Sequence, residues 1–360
     1  MTIFTGIRVV VSEFAENPLE AVESKMSLAP QSIDTAALQP GDLVVQVKSA
    51  AVGWVDLLMT SGQYQHMPKP PYTPGLECSG EVIWAGAEAR VKPGARVLVD
   101  GLLSGPRSLG AYQAYGGFAT YVVAPTEAVI PIPGKLSFDQ AAALLGSYET
   151  AYHCLVTRGR LQAGETVLIH GASGATGLAA VQVAKLCGAT VIATGRSDSK
   201  LATVTAHGAD HTVNVQGGFR EKVKDLTDGR GVDVVYDAVG GDISLESLRC
   251  VRFGARFLIV GWASTPFVAQ GKGQRGAPNA NQLPTNLIMM KGLDVLGCPT
   301  AISTAMDPST RGPRLAQVLA WAEAGRISPH VSHTFPLAEF KAAMRARWSG
   351  EVTGGCVLHP

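Results

Sequence analysis

The chain has 360 residues, of which 46% are hydrophobic and 16% charged, with 30 Lys+Arg against 29 Asp+Glu and a formal net charge of +1. That length suits two domains with a sizeable core. The charge balance gives no electrostatic reason to expect nucleic acid or an anionic membrane as the main partner.

The first third reads as β-rich. GDLVVQVKSAAVG alternates like a half-buried strand, and short strands recur at GEVIWAG, ARVLVD and FATYVVAP, with Gly and Pro between them. Many short strands with turn signals predict a small barrel or folded sheet. Near Pro131 the texture changes, and LSFDQAAALLGSYETAYHCLVTRG looks helical. From Thr166 onward, the strands TVLIH, TVIAT, HTVNV, DVVYDAV, RFLIVG and LDVLG alternate with helical stretches such as GLAAVQVAKLCGA, SKLATVTAHGA, REKVKDLTDG and ISLESLRCVRFG. That alternation predicts a parallel sheet covered on both faces, the doubly wound dinucleotide-binding architecture. Between Trp262 and Lys291 the pattern breaks into a stretch rich in Gly, Pro, Asn and Gln. The tail holds two helical stretches and a final apolar strand, expected to return to the first domain.

The six cysteines, Cys78, Cys154, Cys187, Cys250, Cys298 and Cys356, are too far apart for a CxxC or zinc-knuckle spacing, and read as buried thiols in a reducing compartment. The start, MTIFTGIRVVVSEF, lacks the basic, apolar and cleavage regions of a signal peptide. No run approaches the about 18 apolar residues of a membrane span. A soluble cytoplasmic protein is expected.

VLIHGASGATGLAAVQVAK, from Val167, places Gly171, Gly174 and Gly177 between a buried strand and a helix. Gly171 allows the turn out of the strand. Gly174 has no Cβ to keep a pyrophosphate from the helix's unpaired N–H groups, and Gly177 lets the helix pack closely. Ala172 stands at the first position of the strict GxGxxG fingerprint, so the context carries the reading: a strand before, a helix after, and TVIAT at the expected distance. At the tip of that second strand, an NAD site would put a carboxylate near Gly195. Here Arg196, Ser197 and Lys200 follow it, and Asp198 comes three positions late. Cations and hydroxyls suit a 2′-phosphate, so NADPH is the expected cofactor.

Together these features resemble the medium-chain dehydrogenase/reductase superfamily, in its zinc-free quinone oxidoreductase, zeta-crystallin-like branch. Nearly the whole chain takes part, through PYTPGLECSGEV, VKPGARVLV, GGFATYVV, AAALLGSYETAYHCL, HGASGATGLAAVQVAK, GADHTVNV and VVYDAVGG. The resemblance implies an α/β protein with a GroES-like β-rich catalytic domain and a Rossmann NADPH domain. The first would comprise residues 1–127 and a return segment 301–360, the second residues 128–300. It also implies an active site between the domains, and a homodimer pairing through Leu293–Gly297.

Position by position, the resemblance puts Gly174, Ala175, Thr176 and Gly177 at the pyrophosphate, and Ser197 and Lys200, beside Arg196, at the adenosine phosphate. Asn214 falls on the adenine side, where Val215 replaces the usual tyrosine. Gly240, Val260 and Gly261 would border the nicotinamide half, and Leu296, Gly297 and Cys298 its carboxamide.

Zinc-dependent relatives use a Cys in the first catalytic loop and a His in GHExxG. This chain has AVGWVDLL, without Cys, and GLECSG, with Leu76 in the His place, so no metal is expected. Where the branch often has an Asn in GVNxxD, the chain has Gly53, Trp54, Val55 and Asp56, and Trp54 is read as the replacement for the small amide. Trp54, Asp56, Tyr64 and Tyr148 are substrate-pocket candidates, with Asp56 expected to orient its loop. Tyr112 and Tyr115, in the long insert before GGFATY, are further ones. No histidine is assigned to catalysis, and Tyr64 is the one candidate proton donor.

The implied activity is hydride transfer from NADPH to a quinone, enone or other activated alkene. Two alternatives stay open. One is an enoyl or acryloyl thioester reductase, whose phosphates would want Arg107, Lys272 and Arg275 at the entrance. The other is a non-catalytic nucleotide-binding protein of crystallin or RNA-binding type, which the neutral net charge disfavours.

Overall fold

Apolar side chains at every second position draw the first third of the chain into strands. A computed structural model describes residues 2–64, 68–108, 110–265 and 281–360. Contacts divide the chain into two compact units, Met1–Leu145 with Ser328–Pro360, and a second between Gly146 and Ile327.

The first unit opens with β1 (Ile3–Val11) and β2 (Met26–Asp34), an antiparallel pair with Ile3 opposite Asp34 and Val11 opposite Met26. Then come β3 (Asp42–Ala51), β4 (Glu77–Ala85), β5 (Arg96–Val99), β6 (Tyr121–Pro125) and β7 (Val129–Pro131). The chain's end adds β14 (Val331–Pro336) and β15 (Gly355–His359), giving the order β14-β15-β3-β4-β5-β7, with β6 also on β3. Val357 of β15 lies opposite Ala51 of β3, so the last strand joins the sheet that the first third began. The inward residues Val45, Val47, Val82, Phe118 and Leu358 are buried in one apolar cluster with Met344 of the helix Phe340–Trp348.

The second unit holds β8 (Thr166–Ile169), β9 (Thr190–Gly195), β10 (His211–Asn214), β11 (Val232–Asp237), β12 (Val251–Ile259) and β13 (Asp294–Gly297). Their order is β10-β9-β8-β11-β12-β13, and every pairing is parallel. This is the 3-2-1-4-5-6 order of a Rossmann sheet, with helices between successive strands. Leu168, Ile192, Val235 and Phe257 are fully buried in it. Parallel strands buried on both faces carry such continuous apolar runs.

Three stretches of the chain differ from the sequence reading. The β1–β2 pair was not visible, because IFTGIRVVV and MSLAPQSID do not alternate cleanly between apolar and polar residues. In LESLRCVRFG the helix stops at Ser247 and β12 begins at Val251, so the second half of that stretch is strand. The tail adds β14 and the helix Thr300–Met306 to its two expected helices. Among the described residues, no helix is long and apolar enough to cross a membrane.

Candidate functional site

The carboxyl ends of the six parallel strands bring the sequence-assigned cofactor residues to one edge of the second unit's sheet. After β8, Gly171 turns the chain with φ +63°, a left-handed value that suits glycine. Gly174 caps the helix Ala175–Leu186, and its N–H donates to Gly171 O at 3.0 Å. A Cβ on Gly177 would stand 2.3 Å from Gly171 O and 2.7 Å from Ala172 Cα, so the helix approaches the turn as only glycine permits. In that first turn the N–H groups of Ala175, Thr176 and Gly177 have no intrahelical acceptor. The cradle fits a dinucleotide pyrophosphate: bare main chain, unpaired donors and the positive end of a helix.

At the tip of β9, Arg196 is exposed and Lys200 half-buried. Ser197 caps the helix Asp198–Ala206, its hydroxyl 2.9 Å from that of Ser199. Asn214, at the end of β10, donates from Nδ2 to Asp198 Oδ1 at 2.8 Å. The one acid near this tip is therefore engaged sideways.

After β11, Asp237 holds the VVYDAVGG turn. Its Oδ1 accepts the N–H groups of Val239 (2.8 Å) and Gly240 (2.9 Å), and its Oδ2 accepts the Ser244 hydroxyl. Gly240 has φ +80°. The main-chain oxygen of Asp237 accepts the N–H of Val260 and Gly261 at the end of β12. After β13, Cys298 N–H donates to Ile259 O at 3.1 Å, and Arg158 Nε to Gly297 O at 3.0 Å. Leu296 is half-buried and Gly297 exposed. Cys298 Sγ lies against Cys154 Sγ.

Sequence reasoning passed over Asp237, although it sits inside a quoted motif, and over His170. His170 is fully buried, its Nδ1 2.7 Å from Thr194 Oγ1 and its Nε2 2.7 Å from Ser247 Oγ. The Ser247 hydroxyl donates to Ile243 O, so it accepts from Nε2–H, and Nδ1 accepts from Thr194. Burial pushes His170 down to about 4 against the opposing pull of Asp237 and Glu246.

In the first unit, Gly53 caps the helix Trp54–Thr60. The buried Asp56 carboxylate accepts the N–H of Gly53 at 2.9 Å and of Gly75 and Leu76 at 3.1 Å each. It thus ties AVGWVDLL to GLECSG and orients both loops. Burial, outweighing these donors and the charge of Arg107, pushes Asp56 up to about 6.

Counted back from Asp56, the amide place of GVNxxD is Gly53, so the reading of Trp54 as its replacement is corrected. Trp54 stacks on Trp348 with ring centroids 5.1 Å apart and planes 4° off parallel. Leu76, in the zinc-histidine place, is buried. Burial first, then the Glu77 charge, pushes the Cys78 thiol up to about 12.

Tyr64 is half-buried, and Tyr148 is 2% exposed. The Tyr112 hydroxyl donates to Asp42 at 2.5 Å, which pins the long insert to β3. Tyr115 packs on the apolar core. Lys272 and Arg275 lie outside the described residues. Among those residues, no group of three or more His, Cys, Asp or Glu could hold a metal ion.

A β-rich unit built from both chain ends, with a Rossmann sheet whose glycine turn is shaped for a dinucleotide, defines a two-domain nucleotide-dependent oxidoreductase class. The family model for the alcohol dehydrogenase GroES-like domain matches residues 39–134, and that for zinc-binding dehydrogenases matches 175–307. A quinone oxidoreductase-like protein 2 homolog from Nematostella vectensis is 33% identical over 98% of this chain and 88% of its own. Among solved structures, a probable oxidoreductase from Mycobacterium abscessus superposes with a TM-score of 0.79 at 29% identity, covering 99% of this chain and 100% of its own. The quinone oxidoreductase of Thermus thermophilus, solved also as its complex with NADPH, superposes at 0.73 and 27% identity, over 98% and 100%. The chain belongs to the medium-chain dehydrogenase/reductase superfamily, in its quinone oxidoreductase branch.

Proposed function

We propose that this oxidoreductase uses NADPH to reduce a quinone, enone or other activated alkene, without zinc. The observation that carries the reading is the tip of β9. Arg196, Ser197 and Lys200 follow β9 where a 2′-phosphate would be bound, and no carboxylate stands at the strand tip itself, Asp198 coming three positions later and bonded to Asn214. The Thermus relative bound to NADPH supports the same choice.

When bound, the nicotinamide supplies a hydride; the chain's own residues bind and orient the two partners. Ala175, Thr176 and Gly177 offer N–H groups to the pyrophosphate. Gly240, Val260, Gly261, Leu296, Gly297 and Cys298 line the nicotinamide side, with Asp237 holding the first three in place. Asp56 acts through its loops rather than as a base, since both its oxygens accept main-chain N–H groups. The proton that completes reduction comes from solvent or from Tyr64. If Tyr64 supplies it, Tyr64→Phe lowers kcat by about 100-fold, whereas an unchanged kcat removes Tyr64 from the chemistry.

Zinc independence rests on Leu76 in the histidine place and on a first loop, AVGWVDLL, that has no Cys to serve as a ligand. Stoichiometric zinc by elemental analysis of pure protein would contradict it. We also read the chain as a homodimer. Among the described residues β13 is a sheet edge, and Met289 and Met290 on the helix just before it in the chain are exposed, which suits pairing with a second copy. Light scattering at the monomer mass would oppose that.

The direct test follows NADPH absorbance with a panel of quinones, enones and enoyl thioesters. Turnover of quinones or enones is the expected result. Turnover of thioesters alone moves the assignment to that class, and binding of NADPH without any turnover moves it to a scaffold.

A further inference from the structure

The amino ends of the same parallel strands carry a second feature, at the opposite edge of the sheet from the glycine turn. Arg220, Lys224, Arg230, Arg249, Arg252 and Lys291 line one pocket of about 380 Å³. They come from the helix Arg220–Asp225, the turn before β11, the start of β12 and the end of the helix Thr285–Lys291. In a chain with a net charge of only +1, six cations around one cavity is a concentrated field.

Acids neutralise part of it. Asp233 takes both Arg230, at 3.0 Å, and Arg252. Glu221 lies 3.3 Å from Arg220 Nε, and Glu246 is used by the main-chain N–H groups of Phe219 and Arg220. The side chains of Lys224 and Arg249 have no hydrogen-bond or ion-pair partner among the described residues, only their main-chain groups being bonded. Lys291 Nζ has only the main-chain oxygen of Val251, at 3.0 Å. Burial lowers the Lys291 ammonium from its usual value. Lys224, Arg220 and Arg249 lower it further, against the opposing pull of Cys250. The unspent positive charge therefore faces the cavity.

At the rim, Phe253 is 75% exposed. Its ring lies against Gly292, whose ideal Cβ position is 3.0 Å from ring carbon Cζ. Gly292 has φ +58° and supports the ring from one side, leaving an aromatic surface beside the cations.

We propose that this pocket is a second, non-cofactor site for a nucleotide-type phosphate ester. Lys224, Arg249 and Lys291 take the phosphate, and Phe253 takes the flat ring. A cavity of this size suits a nucleoside monophosphate. The dinucleotide turn lies at the carboxyl ends of the strands, so the two sites are separate.

The test is calorimetry with AMP and inorganic pyrophosphate on protein held in saturating NADPH. The wild type, a Lys224→Ala/Arg249→Ala double variant and Phe253→Ala are compared. The comparison reads this pocket whether or not the glycine turn is filled, so its outcome is separable from that of the NADPH reading. AMP is expected to bind the wild type, about tenfold or more weaker to the double variant and several-fold weaker to Phe253→Ala, with affinity falling as salt rises. Pyrophosphate is expected to respond to the double variant and not to Phe253→Ala. Equal AMP affinity in all three proteins, or no saturable AMP binding at millimolar concentration, overturns the proposal. Tight binding of an oligoadenylate with none of AMP would also overturn it, in favour of a polymer-binding surface.

Discussion

Gly177 shows how one residue's missing side chain shapes the turn. Its Cβ position falls 2.3 Å from a carbonyl oxygen of the turn that it must pack against. Gly177→Ala is expected to shift that main chain, destabilise the protein by about 1–3 kcal/mol and weaken NADPH binding by about tenfold or more. Urea unfolding and NADPH titration check both effects. Asp56 works the other way, through what its side chain supplies. Asp56→Ala strands the buried N–H groups of Gly75 and Leu76 and the part-buried one of Gly53, and is expected to cost at least about 2 kcal/mol in a urea melt. The glycines could be read from the sequence because a turn needing bare main chain leaves a residue-type signature. The three acceptor bonds of Asp56 could not, since one partner is 3 positions away and the others 19 and 20. The amide place, Gly53, was legible by counting back from Asp56; what Trp54 packs against was not. Two bulky residues, Trp54 and Trp348, far apart in the chain, stack together, and nothing local announces it.

Between elements, one buried network joins two helices of the second unit. Glu149 on the helix Leu145–Tyr152 accepts from Arg311 Nη2 at 2.7 Å and Arg314 Nε at 2.9 Å, both on the helix Arg311–Glu323. Arg314 also donates to Thr304 at 2.8 Å and lies 3.5 Å from His153 Nδ1. Removing the single carboxylate leaves two buried guanidinium groups facing each other. Glu149→Ala is therefore expected to cost about 3–5 kcal/mol, read as a lower urea midpoint with little change in slope. The alternation of strands and helices from Thr166 onward was legible apart from the early start of β12, because each buried parallel strand is a short apolar run between amphipathic segments. The Glu149 network was not, because its members are separated by more than 160 positions and look like ordinary surface charges.

At the scale of the whole molecule, pH acts through the buried His170. It sits at about 4 when folded against an ordinary 6.5, so the unfolded chain takes up a proton first as pH falls. Its contribution to stability is full above about 6.5 and is lost as pH drops toward 4, amounting to about 2 kcal/mol by pH 5. Asp56, raised to about 6, has the opposite sign and removes stability as pH rises from about 4 to 6. Comparing urea midpoints at pH 7 and pH 5 for the wild type and His170→Asn isolates the histidine's share, which the variant is expected to lose. The overall architecture was legible because motif order and spacing run along nearly the whole chain; the substrate was not, because pocket residues come from loops without a period. The measurement that bears most directly on the central claim is calorimetric titration of the pure protein with NADPH and, separately, NADH. NADPH is expected to bind about tenfold or more tightly than NADH, with the difference falling away in an Arg196→Ala/Lys200→Ala variant. Equal affinity for the two, or no heat with either, would contradict it.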